Sequence, residues 1–160
     1  APWIGTKNIW KMFFALGFLG EDTFNRIQKG GKDVWDERFT LNLYNGLSKK
    51  SLYITNLAKC TQIDARSLKN DVFINYLQNT LEEIYLVNPA HIISFGNQVS
   101  SVLLNKNIKV SKYEKDEFEV LNIKDKKFNI YPVYYPVGQG MRNLDKAIER
   151  VKRIVSHRAG

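Results

Sequence analysis

A chain of 160 residues, 44% apolar and 25% charged, has the length and apolar content of one domain with its own core, which excludes disorder and collagen-like repeats. No apolar run reaches the roughly 18 residues that cross a bilayer and no leader pattern opens the chain, so a soluble, cytoplasmic protein with no membrane partner is expected. The charge of +8, from 24 Lys and Arg against 16 Asp and Glu, points to a polyanionic partner, of which nucleic acid is the commonest inside cells, and the single cysteine, Cys60, excludes an internal disulfide.

Residues 8–18 place Ile9, Met12, Phe13 and Leu16 at helical steps before Gly17, which reads as a helix closed by glycine. Residues 21–50, with Gly30-Gly31 and many polar side chains, read as a long excursion holding one or two helical turns. SLYITNL at 51–57 is β-branched and mostly apolar, as in a strand buried on both faces. Residues 65–87 set Val72, Tyr76, Leu77, Leu81, Ile84 and Tyr85 on one helical face, and Asn88-Pro89 stops that helix. HIISF at 91–95 reads as a second buried strand, after which Gly96 opens a helix through Leu104. Alternating charged and apolar residues over 109–125 suit a solvated hairpin or an excursion. FNIYPVYY at 128–135 is the last strand, in which Pro132 demands an edge or a bulge. Residues 144–157 close the chain as an amphipathic helix with Ala147, Ile148, Val151, Ile154 and Val155 inward.

That order predicts a parallel sheet with helices on both faces, and a ligand site beyond the carboxyl ends of the strands. Asn56 stands at one such end and offers a carbonyl and two amide hydrogens, suited either to the edge of a base or to capping a turn. Asn97, beside Gly96, reads as an N-cap. Gly138, Gln139 and Gly140 form a flexible loop able to bring backbone amides to a phosphate, just before the basic helix, in a last segment that carries Arg142, Lys146, Arg150, Lys152, Arg153 and Arg158. Cys60, His91 and His157 read as structural or solvated, and two histidines with one cysteine leave no metal site.

Four stretches in order carry a resemblance to the uracil-DNA glycosylase superfamily, closest to its bacterial and archaeal cluster-bearing branch. They are PWIGTKNIWKMFFALG (2–17), SLYITNLAKC (51–60), NPAHIISFGNQVSSVLL (88–104) and YYPVGQGMRN (134–143). The resemblance implies one domain over residues 1–160, a three-layer α/β/α sandwich with a short, mainly parallel central sheet. It implies a monomer that excises uracil or a related deaminated base from DNA by hydrolysing the N-glycosidic bond, nucleoid-associated in a bacterium or archaeon. In that mechanism Trp3 stacks on the extruded base and Asn56 reads its edge. Tyr135 stands where the family usually has histidine, and its phenol donates a hydrogen bond to the departing anionic base. Gly138 to Asn143 enters the minor groove, with Met141 as the wedge and Arg142 on a phosphate.

No cofactor or metal is required by that chemistry. The family's first motif, a strand with a GEAPG- or GQDPY-type loop that positions water, is expected upstream of Pro2; either a segment of roughly 30 to 40 residues precedes this sequence or this relative has lost the motif, and the first is favoured because losing a central strand leaves two neighbours unpaired. Cys60 matches one of the branch's four cluster ligands while Phe73 stands where another cysteine is expected, so no iron–sulfur cluster is expected. The alternatives are a non-catalytic nucleic-acid-binding module on the same scaffold and a small-molecule enzyme acting on a nucleotide.

Overall fold

The computed structural model describes residues 6–60 and 68–156, leaving aside the side chains of Lys32 and Gln139. Its contacts group into two units, residues 1–55 with 136–148 and residues 56–135 with 149–160.

In the first unit α1 (Lys7–Ala15) buries Ile9, Trp10, Met12 and Phe13, the stripe that its spacing predicts, and Gly17 at φ +75° turns the chain away. Residues 21–50, expected as an excursion, are instead α2 (Glu21–Lys29), a 3-10 turn (Lys32–Val34) and α3 (Glu37–Lys49). Only Ile27 of α2 is buried, so that helix carries almost no apolar period to read from sequence. Its charges supply a different signal, with Glu21 and Asp22 at the amino end and Arg26 and Lys29 at the carboxyl end, each opposing the helix dipole. Reciprocal bonds strap α1 to α2: Lys7 Nζ donates to the Gln28 carbonyl (2.6 Å) and Gln28 Nε2 to the Lys7 carbonyl (3.0 Å). Asp36 caps α3 by accepting from the Phe39 amide at 2.7 Å, while Phe39, Leu43 and Leu47 face inward. Trp10 packs against Phe13 and Trp35, and Trp35 against Phe39, so aromatic rings fill this core.

The second unit contains α4 (Asn70–Val87), β1 (Ile92–Phe95), α5 (Asn97–Leu104), β2 (Glu119–Ile123) and β3 (Lys126–Val133). A 3-10 turn (Gly138–Asn143) then leads into α6 (Leu144–Ser156), which buries Ala147, Val151 and Ile154 as expected. Asn88 ends α4 in the left-handed conformation, φ +49°, before Pro89. The strands run β1-β3-β2, with β1 parallel to β3 and β2 antiparallel to it through the turn at Lys124-Asp125. Ile84, Leu103, Ile123, Phe128 and Ile130 form the core between helix and sheet, each contributing about 1.5–3 kcal/mol by leaving water.

The chain is therefore an α/β protein whose three-stranded sheet is mixed rather than mainly parallel. Two sequence expectations account for the difference. Residues 109–125 do supply the hairpin strand, as one of the two readings held. Residues 51–57 do not form a strand: residues 52–56 are irregular and join no ladder, and Tyr53 is 57% exposed. β-branched composition favours an extended backbone, but a strand also needs a neighbour with which to share hydrogen bonds.

Pro132 sits in the middle strand without harm. The Gly96 amide donates to the Val133 carbonyl at 2.8 Å, so Val133 faces β1 and its neighbour Pro132 faces the opposite flank. On that flank β2 pairs no further than Ile130, and the missing N–H removes no ladder bond.

Candidate active site at the strand carboxyl ends

β1 and β3 end side by side, and the turn that follows β1 sets the site's geometry. Gly96 has φ +87°, which side-chain-bearing residues rarely adopt, and a Cβ there would stand 3.4 Å from the Tyr135 Cβ. Glycine is thus favoured by the backbone, while a Cβ at this position would only touch Tyr135. The rings of Phe95 and Tyr135 lie 6.4 Å apart, and Tyr135 is half-buried. Behind them the buried hydroxyls of Ser94 and Ser100 share a hydrogen bond of 2.8 Å, which ties β1 to α5. Sequence reasoning missed this pair; two serines six positions apart, one on each side of a strand–glycine–helix turn, were its only signal.

Asn97 is not the N-cap. Gly96 occupies that position, and Asn97 Oδ1 accepts from the Val110 amide at 2.8 Å, holding the loop after α5 rather than the free amides of the helix. An open groove of about 520 Å³ borders this helix start, lined by Asn70, Asn97, Gln98, Ser101, Asn107 and Lys109. Side-chain amides, one hydroxyl and one ammonium group share its lining with the apolar Ile108 and with carbon atoms of the same side chains.

Asn56 stands exposed at the end of the irregular run over 52–56, with no side-chain hydrogen bond to a described residue. The chain just after it is anchored: Leu57 and Ala58 are buried, and Lys59 pairs with Glu83 of α4 at 2.6 Å. Gly138 takes φ +59° and starts the 3-10 turn, so the expected flexible loop is a defined turn closed by the Gly140 amide on the Val137 carbonyl (3.1 Å). The turn leaves Met141 56% exposed and Arg142 exposed. The structure thus brings Tyr135 to Phe95 and Gly96, and sets Gly138, Gly140, Met141 and Arg142 on one turn. Trp3 lies outside the described residues, as does the side chain of Gln139.

Arg150 leaves the basic face that the sequence assigned to it. It is 8% exposed, and its guanidinium donates to the carbonyls of Pro132 (3.2 Å), Lys115 (2.8 Å) and Glu117 (2.7 Å). Burial lowers its pKa from the ordinary value, opposed by the nearby Glu117 and Asp116 carboxylates. Its amphipathic helix gave the signal: position 150 falls on the same stripe as Ala147, Val151 and Ile154.

The third and last of the four stretches supply β1, the glycine–tyrosine contact at the carboxyl end of the parallel strand pair and the glycine-led turn leading into the last helix. The family model of the uracil DNA glycosylase superfamily matches residues 2–157. The chain belongs to that superfamily. Among curated proteins it is similar to the type-4 uracil-DNA glycosylase of Saccharolobus solfataricus, with 30% identity over 101 residues, 61% of this chain and 47% of the relative. The match thus spans about half the length of that glycosylase. No solved structure matches. The iron–sulfur cluster of the superfamily's cluster-bearing branch does not fit the residues present: such a cluster takes four thiolates, and the sequence holds one cysteine, exposed at position 60. Nor do the described residues include a group of three or more His, Cys, Asp or Glu able to hold a metal ion. No described helix is long and apolar enough to cross a membrane.

Proposed function

We propose that this protein is a DNA glycosylase that hydrolyses the N-glycosidic bond of uracil or a related deaminated base, using one domain over residues 1–160 built as a three-layer α/β/α sandwich. The observation that carries this reading is the superfamily match across nearly the whole chain. The name of the relative favours uracil among the candidate bases.

In the proposed reaction water adds to the sugar carbon as its bond to the base breaks, and the bonding electron pair leaves on the base. The developing anion is where a donor counts most, because a fixed O–H aimed at growing charge stabilises the transition state more than the substrate. Tyr135 supplies that donor from the end of β3, in the place where the family usually has histidine. Asn56 reads the base edge with its amide, Trp3 stacks on the ring, and exposure of both Asn56 and Met141 suits groups that meet DNA rather than the core. Met141 fills the vacated stack, and Arg142 and the backbone of Gly138, Gln139 and Gly140 take phosphates. The protein acts as a monomer inside the cell.

The test is excision from labelled single- and double-stranded oligonucleotides carrying uracil, hypoxanthine or xanthine, with alkali to reveal abasic sites. Cleavage at one of these bases, abolished in Asn56→Ala while DNA affinity stays within about twofold, is the expected result, since the amide chooses the base and phosphate contacts carry affinity. Salt-sensitive binding without cleavage of any substrate replaces this reading with that of a non-catalytic DNA-binding module.

A further inference from the structure

The turn joining β2 to β3 sets Lys124 and Lys126 on either side of a single aspartate, Asp125, while Lys127, the next residue, turns to the opposite face of the sheet. Lys124 Nζ lies 4.4 Å and Lys126 Nζ 4.5 Å from the centroid of the same ring, that of Tyr85 on α4. Asp125, the nearest carboxylate in sequence, is engaged by the Tyr85 hydroxyl, which donates to it at 3.1 Å. None of the three lysines forms an ion pair with a described residue.

Two ammonium groups held at one ring are no more than about 9 Å apart, as the two distances require. Like charges at that spacing repel, and each cation–ring contact returns only about 0.5–1 kcal/mol at an exposed site. The frame beneath them is fixed. Tyr85 packs against the core around Ile84 and Phe128, and Lys124 holds a left-handed backbone at φ +53°. Converging cations on a rigid aromatic platform, with their carboxylate already occupied, are complementary to a row of phosphates.

The position of this cluster excludes it from the site described above. It lies at the amino end of β3, whereas Tyr135 follows the carboxyl end, and eight strand residues at about 3.3 Å each put roughly 25–30 Å between them. We propose that Lys124 and Lys126 form a second nucleic-acid contact, which takes the phosphate backbone of a DNA segment other than the one whose base is presented at the strand carboxyl ends. This goes beyond base excision and shares with it only DNA as the partner. Holding two segments at once would let the protein pass between duplexes without full release.

The experiment compares the wild-type protein with a double variant, Lys124→Gln and Lys126→Gln, and with a charge-retaining double arginine variant, each first shown by thermal melting to be folded. Affinity for an undamaged duplex is measured as a function of salt. In the glutamine variant the slope of log K against log salt becomes shallower by roughly 2, and affinity drops about tenfold at 0.1 M salt, while the arginine variant keeps both. Wild-type protein, unlike the glutamine variant, retains a second, labelled duplex on a bead-bound one. Single-turnover cleavage of a short damaged oligonucleotide at saturating protein stays within about twofold. An unchanged salt slope overturns the proposal, and so does capture of an acidic polypeptide by the turn with DNA binding intact. If the wild type cleaves no base, the excision reading falls while the salt slope still decides this one.

Discussion

Tyr113 and Glu119 show how single side chains set the protein's response to pH. Burial, then the hydrogen bond to Glu119 at 2.8 Å, pushes the Tyr113 phenol up to about 12. An unfolded tyrosine releases its proton near pH 10. Between about pH 10 and 12 the unfolded chain therefore binds fewer protons than the native one, so Tyr113's contribution is complete below pH 10 and is lost as pH rises towards 12. Tyr44, pushed up to about 12 by burial alone, acts in the same direction. Glu119 acts in the opposite direction: the hydrogen bond from Lys106, then that from Tyr113, holds its carboxyl below the usual range. Its contribution is present above the ordinary glutamate value and fades as pH falls through the lowered one. Urea midpoints measured across pH should decline between pH 10 and 12, and less steeply in Tyr113→Phe. A variant as steep as the wild type would mean that Tyr113 contributes nothing to the alkaline limb. Arg150 is a different case, since its charge meets carbonyls rather than a carboxylate. Hydrogen bonds to a charged donor contribute about 1.5–3 kcal/mol each, and here they offset the cost of burying the guanidinium while holding the chain near the end of β3.

At the scale of elements, the caps decide which helices a short, polar segment can form. α3 starts where Asp36 accepts from the Phe39 amide with one carboxylate oxygen and from Arg26 Nη2 (3.1 Å) with the other, and the Arg26 guanidinium rests 4.3 Å from the centroid of the Phe39 ring. One carboxylate thus joins the ends of α2 and α3. Asp36→Ala should lower stability by about 1–2 kcal/mol, mostly through the lost cap because the ion pair is half-exposed. Asp36→Asn, which keeps the acceptor, should recover most of that in chemical denaturation; equal losses in the two variants would assign the effect to the ion pair instead. The cap at Asp36 and the stripe of Phe39, Leu43 and Leu47 went unread in the sequence, because the polar surface of α2 and the paired glycines after it masked the helical pattern of residues 21–50. The strand–glycine–helix unit around Gly96 was legible because burial, positive φ and helix start coincide there. The segment at 51–57 misled because composition reports backbone preference and says nothing about whether a partner strand lies alongside. Of the candidate site, the place of Tyr135 just after β3 and of residues 138–142 just before α6 was legible from element order, whereas Arg150 required knowledge of which helical face turns inward.

At the scale of the whole molecule, a glycosylase as proposed would draw on the charge of +8 for affinity to DNA, a term that does not choose a base. Choice and affinity should therefore separate by mutation. Arg142 is exposed on the turn that precedes α6, and a phosphate contact there weakens all DNA equally when removed. Arg142→Ala should reduce affinity for damaged and undamaged duplexes by the same factor and make the salt slope shallower by about 1. Raising the protein concentration should then restore its single-turnover rate. Asn56→Ala should do the reverse, leaving affinity and salt slope in place while removing cleavage at any concentration. A selective loss of affinity for damaged DNA in Arg142→Ala would instead make the guanidinium part of base recognition, because a contact to the backbone cannot tell one base from another.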